Sequence, residues 1–176
     1  MTLPELNKLP VPELKHALFK CCGSGAWVEK ISAEFPFDDV EQLIYRAEVN
    51  WYACDETDWR EAFEHHPKIG DISSLKSRFA TTADWAQGEQ SSLEQAPDSV
   101  IEELALENRK YEEKFGYIFI VCATGKSATE MLSLLKERLV YSPEAEIKNA
   151  MIEQSKITTI RLKKLLADEP NNNSYS

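Results

Sequence analysis

The sequence has no apolar run close to the length of a membrane span, and it has little glycine, histidine or positive charge. A helix needs about 20 consecutive apolar residues to cross a bilayer, so we expect no membrane segment. The 176 residues include 6 glycines and 3 histidines, and 20 Lys and Arg stand against 30 Asp and Glu, a net charge of -10. Because phosphates and anionic lipids repel so acidic a chain, we expect no nucleic-acid partner and no membrane partner.

Cysteine is also scarce, and its positions lack the C-x-x-C spacing of zinc and redox motifs. The four cysteines are Cys21, Cys22, Cys54 and Cys122. We interpret them as reduced thiols, since cytosolic thiols are kept reduced. Residues 1–10 lack the basic-then-apolar order of a secretory signal, and residues 171–176 carry no peroxisomal or retention signal. These features favour a cytoplasmic protein.

Length and composition predict one compact domain over residues 1–176, with frayed ends at 1–10 and 170–176. With 43% hydrophobic and 28% charged residues, the chain has the composition of an ordinary globular domain. A chain of this length buries roughly 70% of its unfolded surface, so folding requires neither a metal nor a disulfide.

Apolar periodicity and capping residues predict an all-α fold of about seven to nine helices. Asp38–Glu41 has the pattern of an N-cap with an acidic third position, and Ser127–Glu130 is a capping box. The helices are predicted at Val11–Cys21, Ala26–Ala33, Val40 onward, Glu56–His65, Pro97–Lys114 with Gly116 as the stop, Met131 onward, and Pro143 to about Asp168.

One apolar segment does not fit a helical pattern. Tyr117–Cys122 is an unbroken run of aromatic and β-branched residues, typical of a buried strand. No second run of this kind offers it a sheet partner. We therefore predict an extended apolar segment at residues 117–123, whose unpaired main-chain groups suit a flat ligand with amide edges. An ordinary buried strand or helix turn is the alternative.

His66 is the first candidate for chemistry. A residue before proline avoids the helical region, so Pro67 places His66 at the end of the preceding helix. The dipole there favours an imidazolium, and histidine can exchange protons near neutral pH. The alternative is a solvated helix-end histidine. A zinc site made of His65, His66 and Asp71 is disfavoured, because adjacent histidines have difficulty reaching one ion.

Arg161 is the second candidate. In the last predicted helix it is spaced three or four residues from apolar neighbours, in the series Ala150, Gln154, Ile157, Arg161 and Leu165. A guanidinium in such a place requires a carboxylate or another bidentate acceptor. That acceptor is either an internal Glu or Asp, or the anion of a ligand.

Two weaker signals remain. Gly125-Lys126-Ser127 imitates a phosphate-binding loop, but Ile120 stands where the loop needs glycine, which argues against nucleotide hydrolysis. The turn still favours an anion or a carbonyl oxygen at a helix N-terminus. Glu89-Gln90 lies within Ala83–Leu93, and a surface helix would carry such residues in any case, so a surface role is the simplest interpretation.

Several motifs in chain order resemble the family of 2-oxo-4-hydroxy-4-carboxy-5-ureidoimidazoline (OHCU) decarboxylase. The resemblance covers nearly the whole chain. The motifs are Leu6-Asn7, Cys22-Gly23-Ser24-x-x-Trp27, Pro36-Phe37, His66-Pro67-x-Ile69-Gly70, Glu89-Gln90, Phe115–Ser127 and Glu153-Gln154-x-Lys156-Ile157-Thr158-x-x-Arg161-Leu162.

The resemblance implies an all-helical homodimer, without metal or organic cofactor, that converts OHCU to (S)-allantoin and CO2 in urate degradation. It implies general acid–base proton transfer by His66. It also implies that the substrate is bound by Pro67, Ala86, Gln87, Gly88, Glu89, Gln90, the main chain of Phe119, Ile120, Val121, Cys122 and Ala123, and Arg161. The chain departs from the family pattern at Ala86, where serine is common, and at Tyr141, where asparagine is common.

These residue types suit a decarboxylation without a cofactor. The conjugated imidazoline ring of OHCU can hold the electron pair that CO2 leaves behind, a task usually given to a cofactor. The protein then has to orient the substrate and manage one proton. The competing interpretation is a non-catalytic acidic helical binding module, in which His66 and Arg161 serve stability alone.

Overall fold

The computed structural model describes residues 1–67 and 97–167, and over these ranges the chain forms eight helices and no strand. This confirms the predicted all-helical fold for the described residues. The helices are α1 (Leu3–Leu6), α2 (Val11–Cys21), α3 (Gly25–Ser32), α4 (Val40–Tyr52), α5 (Glu56–Glu64), α6 (Asp98–Phe115), α7 (Ala128–Leu139) and α8 (Pro143–Ala167). None of them is both long and apolar enough to cross a membrane.

Local capping explains where most of these helices begin and end. Asp39 caps α4 by accepting the N–H of Gln42 at 2.7 Å. Ser127 and Glu130 form the predicted capping box of α7, in which each side chain accepts the other residue's N–H. Gly116 ends α6 with a φ of 80°, a left-handed conformation that is open to glycine at little cost.

The expectation of a frayed N-terminus over residues 1–10 is wrong. Thr2 and Glu5 form a capping box for the single turn of α1, and Leu6 within it is 0% exposed. The amino group of Met1 donates to the carbonyl of Leu165 at 3.1 Å. Apolar burial and this contact stabilise a turn too short to be stable alone. Residues 170–176 lie outside the described part of the chain.

Internal contacts divide the chain into two compact units. The terminal unit comprises Met1–His65 and the chain from Gln154 onward, and the central unit comprises His66–Glu153. Helix α8 begins in the central unit and ends in the terminal one. A single domain over residues 1–176 stays a prediction.

The terminal unit is built around α3, which packs against α2, α4 and α5. Trp27 and Trp51 are its largest buried side chains, and the indole N–H of Trp27 donates to the carbonyl of Ala47 at 2.9 Å. Cys21, Cys22 and Cys54 are buried here, and all four cysteines of the chain are free thiols. The expectation of unpaired thiols is thereby confirmed.

In the central unit α6 packs along α7. An aromatic cluster lies in this unit, where the ring of Tyr111 meets those of Phe115, Tyr117 and Phe119 at centroid distances of 4.7, 5.9 and 5.2 Å. The chain between the two helices contains residues 117–123, which are in neither a helix nor a strand. This confirms the predicted non-helical apolar segment and places it at the core of the unit.

Candidate functional site

His66 lies directly after the end of α5. The helix is fixed at its start by a capping box of Asp55 and Asp58. It ends with His65, whose N–H donates to the carbonyl of Ala62 at 3.3 Å. His66 is only 6% exposed, whereas Pro67 is exposed. The helix-end position is therefore as predicted, but the alternative of a solvated histidine is wrong.

His65, the exposed residue before His66, contacts other residues of the terminal unit on one side. A Cβ atom added at Gly23 would lie 2.6 Å from the Cβ of His65, so no larger residue fits there without a shift. The ring of Phe19 meets the imidazole of His65 edge-on at a centroid distance of 4.9 Å. These contacts hold the C-terminal end of α5, and they give Gly23 of the Cys22–Trp27 motif a physical role.

The disfavoured zinc site finds no support in the described part of the chain. No cluster of three or more His, Cys, Asp or Glu side chains with metal-binding geometry occurs in the described ranges. Asp71, the third residue of that alternative, lies outside them.

The second element of the candidate site is the segment of Phe119, Ile120, Val121 and Cys122, all of which are buried. Three of its main-chain groups are bound by side chains. The carbonyl of Ile120 accepts from Nη1 of Arg138 at 2.6 Å, the N–H of Cys122 donates to Oε2 of Glu153 at 2.7 Å, and the carbonyl of Cys122 accepts from Lys126. The expectation that the segment leaves its main chain unpaired is therefore wrong at these three groups, because charged side chains replace a sheet partner.

Val121 differs from its neighbours in the segment. Over the described residues, no hydrogen bond engages the main chain of Val121. The C=O and N–H of a trans peptide point in opposite directions. The N–H of Val121 therefore points away from Arg138, and its carbonyl points away from Glu153. The peptide bonds on either side of Val121 thus fix the directions of its N–H and its carbonyl, and their predicted use in binding substrate stays a prediction.

The turn that imitates a phosphate loop closes on itself. Gly125 has a φ of 73°, and the N–H of Lys126 donates to the carbonyl of Ala123 at 3.1 Å. Nζ of Lys126 donates to the carbonyl of Cys122 at 2.9 Å. The lysine is thus engaged by the chain's own main chain, in line with the sequence argument against a nucleotide loop.

Arg161 lies half-buried on α8 in the terminal unit. Its Nη1 donates to the carbonyl of Cys21, the last residue of α2, at 3.3 Å. Within the described ranges no carboxylate lies at ion-pair distance, so an internal Glu or Asp partner is wrong for these residues. The partner is instead a helix C-terminus, where a cation is favoured. Burial raises the pKa of Cys21 to about 11, and the charge of Arg161 opposes that rise.

Five of the expected substrate-binding residues, Ala86, Gln87, Gly88, Glu89 and Gln90, lie outside the described residues. Ala123, at the end of the segment, is half-buried. Tyr141, the other departure from the family pattern, lies between α7 and α8 and donates its hydroxyl to Glu137 at 2.8 Å.

The sequence argument missed the charged residues behind the segment. Arg138 is buried in line with Met131 and Leu135 on α7, and Glu146 is buried in line with Ala150 on α8. A charged residue on an apolar helix face is the signal that singled out Arg161, and the same signal identifies both Arg138 and Glu146.

Comparison with known proteins identifies the family. The sequence model of the OHCU decarboxylase family matches residues 7–163. The chain belongs to the OHCU decarboxylase family. This confirms the resemblance drawn from the motifs. The family match extends through both compact units and across the residues that the structure leaves undescribed.

Relatives of this OHCU decarboxylase family member include single and bifunctional proteins. The uric acid degradation bifunctional protein TTL of Arabidopsis thaliana is 40% identical over 152 residues, which are 85% of this chain and 46% of the relative. The chain thus spans less than half of that relative. The OHCU decarboxylase of Halalkalicoccus jeotgali is 24% identical over 168 residues, 94% of this chain and 92% of the relative.

Two solved structures share the fold. A crystal structure of OHCU decarboxylase in the presence of (S)-allantoin is 37% identical, with a TM-score of 0.70 over 85% of this chain and 96% of that chain. A crystal structure of (S)-allantoin synthase is 17% identical, with a TM-score of 0.68 over 94% of this chain and 54% of that chain. The second likeness concerns the fold alone.

Proposed function

We propose that this chain is a carboxy-lyase that converts OHCU to (S)-allantoin and CO2 in urate degradation, without a cofactor. The observation that carries the proposal is the family match over residues 7–163. The 37% identity to an OHCU decarboxylase crystallised in the presence of (S)-allantoin supports the same substrate and product.

The reaction requires that the substrate be positioned and that a proton be transferred. The bond from the hydroxyl-bearing ring carbon to the carboxylate breaks, CO2 leaves, and the electron pair moves into the adjacent C=N, whose nitrogen takes up a proton. The resulting enol loses its hydroxyl proton to become a carbonyl, and a proton adds to the neighbouring ring carbon that carries the ureido group. Because the substrate itself holds the charge, the protein's work is to orient the ring and to handle that proton on one face.

His66 is the proposed acid–base group. It is the buried histidine at the end of α5, and its burial limits the access of bulk water to the proton. Proton transfer by a positioned side chain accelerates a reaction by roughly 10²–10⁴-fold. Delivery from a single fixed side gives a single enantiomer, which accounts for an (S) product.

The groups that we propose bind the substrate are chemically complementary to it. The N–H and carbonyl of Val121, which have no hydrogen-bond partner among the described residues, suit the amide groups of the ring. Pro67 and the rest of Phe119–Ala123 line the same place in the proposal. Arg161 supplies the positive charge that an acidic protein needs to attract an anionic substrate. Glu89, with its neighbours in Ala86–Gln90, accepts the N–H or O–H groups of the substrate.

His66→Asn tests the proposal, and His16→Asn is the matched control. We expect His66→Asn to keep the helical circular dichroism of the wild type and to lose about 10²-fold or more in kcat. His16 is an exposed residue of α2, so the same change there should keep the rate. A His66→Asn variant with full activity, or one that unfolds, would contradict the proposed role.

The family resemblance also supports a homodimer in the cytoplasm. Light scattering of the purified protein is expected to give about twice the 20.1 kDa of one chain. A mass of one chain at micromolar concentration would contradict the dimer and leave the proposed reaction untouched.

A further inference from the structure

A buried ionic cluster of Tyr111, Arg138 and Glu146 lies behind the apolar segment in the central unit. Glu146 is 0% exposed and Arg138 is 7% exposed. Arg138 donates to Oε1 of Glu146 from Nε at 2.8 Å and also from Nη2, and the hydroxyl of Tyr111 donates to the same oxygen. Taking two charges out of water is costly, so such a pair is weak evidence of a role in stability alone.

The tyrosine serves the cluster as a donor. Burial raises the pKa of Tyr111, and its hydrogen bond to Glu146 raises it further. The phenol therefore stays protonated across the range in which proteins are studied, and its O–H remains directed at the carboxylate. Glu146 is thus held from two sides, by Tyr111 of α6 and by Arg138 of α7.

Arg138 connects this cluster to the segment. Its Nη1 donates to the carbonyl of Ile120 at 2.6 Å, and its Cζ lies 4.6 Å from the ring centroid of Phe119. Because the guanidinium is planar and two of its nitrogens are bound to Glu146, the direction of the third nitrogen is fixed. One rigid group therefore supports both the main chain of Ile120 and the side chain of Phe119.

The direction of the Ile120 carbonyl also sets the direction of the next N–H. Both belong to one trans peptide, so the N–H of Val121 points away from Arg138. Over the described residues this N–H has no hydrogen-bond acceptor. The ionic cluster thus determines the direction of this main-chain N–H in the candidate site.

We infer that Arg138 is a positioning residue that aims the Ile120–Val121 peptide at the substrate, with Glu146 and Tyr111 holding it in place. The inference rests on the proposed function, in which Val121 binds the ring amides. A purely structural ion pair affects stability alone. A positioning residue also affects substrate binding when the fold is intact.

Arg138→Lys tests the inference, because lysine keeps the buried charge but cannot bind Glu146 through two nitrogens and Ile120 through a third. Leu104→Ala is the control, since it shortens a buried side chain of α6 in the same unit without removing a polar group. We expect Arg138→Lys to raise KM for OHCU about tenfold or more with little change in kcat, since the segment binds ground state and transition state alike. Leu104→Ala should lower the melting temperature and keep KM.

Amide hydrogen exchange provides a readout that needs no turnover. Arg138→Lys should speed exchange at Val121 and Cys122 by about tenfold more than it speeds exchange in α6, whereas Leu104→Ala should not favour the segment. If Arg138→Lys does not fold, Tyr111→Phe, which removes one hydroxyl, takes its place. Tyr111→Phe should also speed exchange at Val121 and Cys122 more than in α6, by a smaller factor.

The KM and exchange measurements distinguish a failure of the inference on Arg138 from a failure of the proposed function. The inference is overturned if Arg138→Lys speeds amide exchange at Val121 and Cys122 no more than Leu104→Ala does. It is also overturned if the KM of Arg138→Lys equals that of Leu104→Ala. A wild-type protein that does not decarboxylate OHCU overturns the proposed function instead, and the exchange measurement then decides on the role of Arg138.

Discussion

Replacing Arg161 with glutamine separates substrate binding from stability. In the structure the guanidinium makes one hydrogen bond within the described residues, from Nη1 to the carbonyl of Cys21 at 3.3 Å. The bond is long, and Arg161 is half-buried. A hydrogen bond of this kind contributes about 0.5–1.5 kcal/mol to the free energy of unfolding. For a chain of this length, each 1 kcal/mol shifts the melting temperature by about 2–4 °C.

The expected loss in substrate binding is larger. Removing one partner of a hydrogen-bonded charge pair with a ligand costs about 2–5 kcal/mol. Since about 1.4 kcal/mol corresponds to a tenfold change, kcat/KM for OHCU should fall roughly 30-fold or more. We therefore expect Arg161→Gln to melt only a few degrees below the wild type while losing most of its efficiency in a steady-state assay of CO2 release.

Arg46→Gln is the matched control for this substitution. Arg46 also lies in the terminal unit, and its Nε and Nη2 donate to the carboxylate of Glu34 at 2.6 and 2.7 Å. It should lose at least as much stability as Arg161→Gln and keep kcat/KM. If Arg161→Gln shows a large drop in melting temperature and unchanged kinetics, the contact with Cys21 is its whole role, and the reasoning on substrate binding is refuted.

Two further predictions concern the terminal unit. The hydrogen bond from Arg46 lowers the pKa of Glu34 from its ordinary value of 4.5. The stabilisation by the ionised Glu34 is therefore complete above pH 4.5 and is lost as the pH falls through the lowered folded pKa. In urea unfolding, the difference in stability between wild type and Glu34→Gln should close below pH 4.5, and a constant difference would contradict this prediction. Burial raises the thiol pKa of Cys21 to about 11, of Cys22 to about 12 and of Cys54 to about 11. At pH 8 these thiols should therefore react with a disulfide reagent far more slowly in the native protein than in guanidinium chloride, and equal reaction rates would contradict this prediction.

Most helix boundaries can be predicted because their causes lie within one turn of chain. The capping box of Ser127 and Glu130 and the left-handed Gly116 each act between residues at most four positions apart. Helix α1 also has a local capping box, of Thr2 and Glu5, but its single turn depends on further causes. It is held by the burial of Leu6 and by a hydrogen bond between Met1 and Leu165, which are 164 residues apart. No local pattern in residues 1–10 indicates that contact.

The sequence predicts which residue types form the candidate site, but it does not predict which of them bind one another. The proline after His66 places the histidine at a helix end, and the apolar run of Tyr117–Cys122 indicates a non-helical segment. The burial of His66 is not indicated by its local sequence, and the bond from Arg138 to Ile120 joins residues 18 positions apart. Sequence periodicity shows only that Arg138 lies on an apolar face, and it does not show which carbonyl the guanidinium binds.

The optical activity of the product tests the central claim most directly. In free solution OHCU loses CO2 and the remaining ring is protonated on either face, which gives racemic allantoin. The protein's contribution is therefore visible as a circular dichroism signal that grows with time. With excess chelator and no added cofactor, the wild-type protein should speed the loss of OHCU and give the (S) enantiomer. A racemic product at the uncatalysed rate, or a signal that the chelator abolishes, would contradict a metal-free and cofactor-free decarboxylation.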